Sequence, residues 1–183
     1  MDTDTILQNA ETLLNPWVTE AKRPEVNRLD IYISASNLLA AVQSLVDAHW
    51  GHLSAITGLD RPALAPMQPA AKPGEPAAAI SATDSPTPEG KIEVLYHFCQ
   101  GPAILTLRVG LPYSQTANAR MVIPSICAAA PAASLYEREL MEMFGIDVEG
   151  TPVTQKLVLP DDWPEGVYPL RKSFTGFPDK SEA

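Results

Sequence analysis

An α+β domain with antiparallel strands, flanking helices and an extended C-terminal tail is the fold class this sequence predicts, and three stretches predict it. Residues 28–34, Arg-Leu-Asp-Ile-Tyr-Ile-Ser, alternate apolar and polar side chains, as a strand with one face on a core does. Lys91-Ile-Glu-Val-Leu-Tyr-His-Phe-Cys99 and Ala103-Ile-Leu-Thr-Leu-Arg-Val-Gly110 flank Gln100-Gly-Pro102, the pattern of a tight hairpin. The run from Ala132 to Phe144 stops at Gly145, where a C-capped helix stops.

The remaining elements follow in chain order. Ser36 stands as an N-cap for a helix over residues 37–50, in which Leu38, Leu39, Val42, Leu45, Val46 and Trp50 recur at helical spacing before Gly51. His52–Thr57 reads as a second strand, bounded by Gly58. Residues 61–90 then hold seven prolines and eight alanines with no aromatic residue, too little apolar surface to order a segment. They read as a flexible insertion, a tolerated loop or a docking arm. Pro124 and Pro131 each mark a possible helix start. Residues 1–60 and 91–150 therefore form two parts of one domain, with 61–90 the insertion and 151–183 the tail.

Length and composition set limits on function. The 183 residues suit one domain plus an accessory segment, and 45% hydrophobic with 19% charged residues is the composition of a folded protein. A net charge of -9 excludes the concentrated cations that phosphate backbones and anionic membranes demand. The acidic start, Met1-Asp-Thr-Asp-Thr, differs from a secretory leader, and no apolar run reaches the ~20 residues that span a bilayer, so a cytoplasmic location is expected. Cys99 and Cys127 sit among apolar or small residues and read as buried free thiols in a reducing compartment.

Catalytic signatures are missing from the sequence. Three histidines, His49, His52 and His97, fall short of a zinc set, and His97 lies within an apolar strand as a core or edge residue. Two cysteines cannot hold a four-cysteine cluster, and no Cys-x-x-Cys pair occurs. Neither a Gly-x-Gly-x-x-Gly loop, a Walker sequence nor a Gly-x-Ser-x-Gly elbow is present. Glu139 and Glu142 are three apart on the predicted last helix, as paired acid and base groups can be. The plainer reading pairs Arg138 with Glu142 at i, i+4, while Tyr136, Leu140, Met143 and Phe144 form an apolar stripe.

After that helix, Trp163, Tyr168, Phe174 and Phe177 lie in a proline-rich tail with no regular element to bury them, next to Arg171 and Lys172. Aromatic residues with arginine are the usual anchors of protein interfaces. The reading is a protein that assembles with others. Its rivals are an enzyme built on Glu139 and Glu142, and a free-standing adaptor recruiting a polyproline-binding partner through residues 61–90.

Glu137-Arg138-Glu139, Met143-Phe144-Gly145-Ile146, Gly150, Pro160-Asp-Asp-Trp163 and Pro169-Leu-Arg-Lys172 resemble the signature of the 30 kDa subunit family of respiratory complex I, the NADH dehydrogenase of the respiratory chain. That family includes the corresponding subunits of energy-converting membrane-bound nickel-iron hydrogenases. Leu53–Asp60, Glu93–His97 and Val122–Ser125 match it in order, so the resemblance covers residues 28–174. Thr151 stands where the family commonly has His, and Gln155-Lys156 where it commonly has paired Arg. Trp163–Tyr168 is closer to the hydrogenase branch.

The resemblance implies a mixed sheet and a subunit of the peripheral arm on the cytoplasmic side of the membrane. Its partner would be the quinone-site subunit, or the hydrogenase large subunit. It implies no catalytic, cofactor-binding or metal-binding residue in this chain, with FMN, iron-sulfur clusters or a nickel-iron centre held by partner subunits. Glu137, Arg138, Glu139, Arg171 and Lys172 are then expected to pair with charges across the subunit interface, and Trp163 and Tyr168 to anchor it by burial.

Overall fold

The computed structural model describes residues 2–63, 90–113 and 120–177. Its elements are α1 (Thr3–Leu14), β1 (Glu20–Glu25), β2 (Arg28–Tyr32), α2 (Leu38–Asp47), β3 (His52–Arg61), β4 (Lys91–Gln100), β5 (Ala103–Pro112), β6 (Val122–Pro124), α3 (Ala133–Phe144) and β7 (Asp147–Glu149). Five strands form one sheet in the order β1-β2-β5-β4-β3, while β6 and β7 pair separately. β2 runs parallel to β5 and the other neighbours are antiparallel, which makes the sheet mixed.

Alternation decides which side of the sheet is the core. Leu29 and Ile31 of β2, Ile92, Val94, Tyr96 and Phe98 of β4, and Leu105, Leu107 and Val109 of β5 share one face and are buried. Leu7 and Leu14 of α1, Leu38, Val42 and Leu45 of α2, and Leu140 and Phe144 of α3 join them in one cluster. The opposite face carries Asp30, Thr106, Arg108 and Glu93 in register. There the Arg108 guanidinium bridges Asp30 at 2.8 Å and Glu93 at 2.7 Å, and Arg61 adds a second contact to Glu93 at 2.8 Å. Both carboxylates are nearly sealed from water, so the guanidinium groups between them are what make their ionised forms tolerable.

The hairpin over residues 91–110, the strand at residue 28 and the helix ending at Gly145 form as the sequence predicts. Several elements differ. α2 begins after Asn37, and Ser36 lies inside a short 3-10 turn, Ala35–Asn37, instead of capping the helix. Pro124 closes β6, and Pro131 precedes α3 by two residues. β3 continues through Gly58 to Arg61, because pairing with β4 extends to Lys91. The insertion expected over 61–90 therefore begins after β3, and most of it lies outside the described residues. α1 and β1 are additional to the elements expected from the sequence. α1 is capped by Asp2, whose carboxylate accepts from the Thr5 N–H at 3.0 Å.

Gly58 fixes how α3 meets the sheet. A Cβ there would run into the Phe144 ring, so only glycine lets the end of α3 rest on β3. The hydroxyl of Tyr136, two turns earlier, donates to the Ser54 carbonyl of the same strand at 3.0 Å.

Candidate functional site

α3 and the chain that follows it carry every residue expected to act at an interface. The helix buries a stripe of Ala133, Glu137, Leu140 and Phe144, at spacings of four, three and four. Glu137 lies on that stripe and is 1% exposed. Its carboxylate accepts from the Ser125 hydroxyl at 2.8 Å, the Ile126 N–H at 2.7 Å and the Cys127 thiol at 3.1 Å. A charge pair across a surface is thus replaced by an internal clasp holding the loop between β6 and α3. Burial, together with the neighbouring Glu137 carboxylate, keeps the Cys127 thiol above its ordinary pKa and therefore a donor. Cys127 and Cys99 are free and half-buried.

Arg138 and Glu142 do not pair with each other through hydrogen bonds. Arg138 donates to the carbonyls of Gln155 and Lys156, both at 2.7 Å. Glu142 accepts the consecutive N–H groups of Leu157, Val158 and Leu159, the last two at 2.9 and 3.0 Å. An irregular segment has backbone donors and acceptors to satisfy, and these two side chains, one turn apart, satisfy five of them. Burial pushes the Glu142 pKa up, but the three N–H groups outweigh it and hold the carboxyl below its usual range. Lys156, standing where the family commonly has arginine, points its ammonium at the carbonyls of Pro160 and Asp161, each at 3.1 Å.

The end of α3 is closed by the tail itself. Gly145 adopts φ +64° and its N–H returns to the Met141 carbonyl at 3.1 Å, a left-handed C-cap. Two further orphan carbonyls are met by the tail: the Leu170 N–H donates to Met143 at 3.2 Å, and Arg171 Nε to Phe144 at 2.7 Å. A cation at this end also complements the helix dipole. The Arg171 guanidinium lies 4.6 Å from the Tyr168 ring centroid, and that ring covers Gly145 so closely that a Cβ there would collide with it.

Three aromatic residues that the sequence leaves without a burial site make one together. Trp163, Phe174 and Phe177 pack with ring centroids 5.0–6.2 Å apart, at tilted or edge-on angles. The Trp163 indole N–H reaches the Val167 carbonyl at 2.8 Å. Over the described residues the tail is a chain of turns with its own small apolar cluster. Lys172 and Glu139 remain exposed side chains.

Glu139 and Glu142, three apart on α3, have separate surroundings. Glu142 is occupied by the backbone, whereas Glu139 lines a shallow groove with Tyr136 and Thr57. His97 contacts the Thr106 hydroxyl at 3.2 Å on the sheet, far along the chain from either glutamate. Among the described residues no three His, Cys, Asp or Glu side chains gather as a metal site, and no helix is long and apolar enough to cross a membrane.

The profile of the family described as "Respiratory-chain NADH dehydrogenase, 30 Kd subunit" matches residues 31–180. The chain belongs to this family. Among its relatives, the membrane-bound hydrogenase subunit beta of Pyrococcus furiosus is 48% identical over 59 residues, 32% of this chain and 34% of that one. A subunit of the F(420)H(2) dehydrogenase of Methanosarcina mazei is 26% identical over 184 residues, covering 99% of this chain and 97% of its own. The chain thus spans about a third of the Pyrococcus relative it matches, and smaller shares of several longer ones. A solved structure of the membrane-bound sulfane sulfur reductase, an archaeal respiratory membrane complex, contains a chain with the same fold, at TM-score 0.58 and 22% identity over 92% of this chain and 84% of that one.

Within this 30 kDa family, the signature residues that the sequence assigns to an interface are here largely spent on internal bonds. Glu137 holds a loop, Arg138 and Arg171 hold the tail, and Trp163 and Tyr168 pack within it. The signal for Glu137 was its place on the apolar stripe, three residues before Leu140 and four after Ala133. The N–H cradle around Glu142 had no signal, because it depends on the path of an irregular segment.

Proposed function

We propose that this chain is a subunit of the peripheral arm of a membrane-associated, ion-translocating oxidoreductase of the complex I type. It sits on the cytoplasmic side, docks on the quinone-site subunit and carries no cofactor of its own. FMN, iron-sulfur clusters or a nickel-iron centre belong to its partners. The observation that carries the reading is the tail: residues 155–171 are fastened to α3 by Arg138, Glu142 and Arg171 through backbone bonds. Such construction gives an irregular surface a fixed shape, which is what recognition by a rigid partner needs. Lys172 and Glu139 supply charge at that surface, and Trp163 and Tyr168 shape it.

The equivalent place in an energy-converting nickel-iron hydrogenase is the second reading, favoured by the 48% identity to the Pyrococcus hydrogenase subunit. The adaptor reading separates from both by deletion of residues 61–90. Assembly with membrane oxidoreductase subunits survives that deletion on the proposal, whereas Arg171→Ala lowers recovery of those subunits on the tagged chain at least fivefold. Loss of assembly on deletion together with full recovery for Arg171→Ala overturns the proposal.

A further inference from the structure

Beside β3 runs a groove that none of these contacts uses. Its wider part, of about 440 Å³, lies between Gly58–Arg61, Phe144 and the tail residues Leu170 and Lys172. A narrower continuation shares Gly58, Phe144 and Leu170 and reaches Thr57, Tyr136 and Glu139. Both faces of β3 contribute, Gly58 and Asp60 from the core side and Leu59 and Arg61 from the other. A groove lined by successive residues of a strand lies along its edge, and β3 is an edge strand with no second neighbour among the described residues.

The groove has a polarity. Arg61 and Lys172 stand at one end, Glu139 at the other, and the middle is apolar, floored by Gly58 and Phe144 and walled by Leu170, which is 51% exposed. The acidic groups near the cationic end are already engaged. Asp60 accepts from the Tyr113 hydroxyl and from the Lys172 N–H, and Glu93 from Arg61 and Arg108. Among the described residues no carboxylate pairs with the Lys172 ammonium. The Tyr136 hydroxyl caps the Ser54 carbonyl, so the open stretch of β3 begins after it, at Ile56.

We infer that an extended segment of a partner subunit adds to this edge as a further strand alongside Ile56–Arg61. It carries a carboxylate that meets Arg61 and Lys172, an apolar side chain over Gly58 and Phe144, and a basic residue that meets Glu139. Strand addition takes affinity from main-chain hydrogen bonds and specificity from side-chain pockets, and the edge and the polar groove supply these. An uncovered edge strand is otherwise a template for aggregation. The inference rests on the subunit reading above and names the chemistry of one contact.

The test compares the tagged full chain alone with the same chain in the complex purified from gently solubilised membranes. Amide hydrogen exchange within residues 56–61 is expected to slow at least tenfold in the complex. A photocrosslinking amino acid at Thr57 is expected to join a segment of another subunit bearing the stated carboxylate and apolar residue. Lys172→Glu should lower recovery of that subunit at least fivefold, Lys172→Arg should restore it, and Val26→Asp, at an exposed site on the β1–β2 turn, should leave it unchanged. Equal exchange in the two states overturns the inference alone, as does a crosslink to residues 64–89 or 178–183 of this chain or to a second copy. Absence of any co-purifying subunit overturns both this inference and the subunit reading.

Discussion

Glu137 shows how one carboxylate in a charged run can belong to the core. Its neighbours Arg138 and Glu139 reach outward, but its own oxygens meet three donors in the loop between β6 and α3. Removing it leaves those donors buried and unsatisfied. Glu137→Ala is therefore expected to cost about 3 kcal/mol of stability, read as a fall of roughly 9 °C in the melting temperature of the isolated chain. Unchanged melting with lost assembly would return Glu137 to the interface. Glu142 makes a second prediction through pH. Its folded pKa lies below the ordinary value of 4.5, so its stabilisation is full above that value and disappears as pH falls through the folded value. Acid unfolding of the wild type should thus be steeper below pH 4.5 than that of Glu142→Gln, which starts about 1 kcal/mol less stable at neutral pH. Parallel acid limbs in the two proteins would contradict the N–H cradle. Of this chemistry, only the helical positions were legible in the sequence. Spacing places Glu137 on the buried stripe, but which backbone groups meet Arg138 and Glu142 depends on a path without periodicity.

At the scale of elements, the tail and α3 form one unit, since the helix ends in carbonyls that only the tail satisfies. Gly145→Ala tests this. A Cβ at φ +64° is strained, and it would also strike the Tyr168 ring, so the tail must lift from the helix end. The expected outcome is faster proteolysis within residues 155–177 while the sheet melts within a few degrees of the wild type. Unchanged proteolysis would mean that the tail is held elsewhere. Strand and helix periodicity made β2, α2, β4, β5 and α3 legible. β1 was not, because all six of its residues are exposed and Pro24 interrupts it, so only pairing with β2 creates the strand. α1 carries a helical signal, since Ile6, Leu7, Ala10 and Leu14 lie on one face behind the Asp2 cap.

For the whole molecule, the parallel pairing of β2 with β5 joins two halves separated in sequence by the proline-rich insertion. Neither strand's pattern specified that partnership, since alternation gives a strand its face and not its neighbour. The result is a domain with a helix-covered face, a face braced by the Asp30–Arg108–Glu93 bridge, a strand β3 with no second neighbour among the described residues and a tail fastened at α3. On the proposed function, a chain built in that way holds other subunits together while the redox chemistry proceeds in them. The most direct measurement is to tag the chain in its native host, purify it from gently solubilised membranes, identify the co-purifying subunits and assay NADH:quinone reduction and hydrogen turnover. The account predicts stoichiometric recovery with cofactor-bearing oxidoreductase subunits and one of those two activities. A lone chain without partners or activity would contradict it.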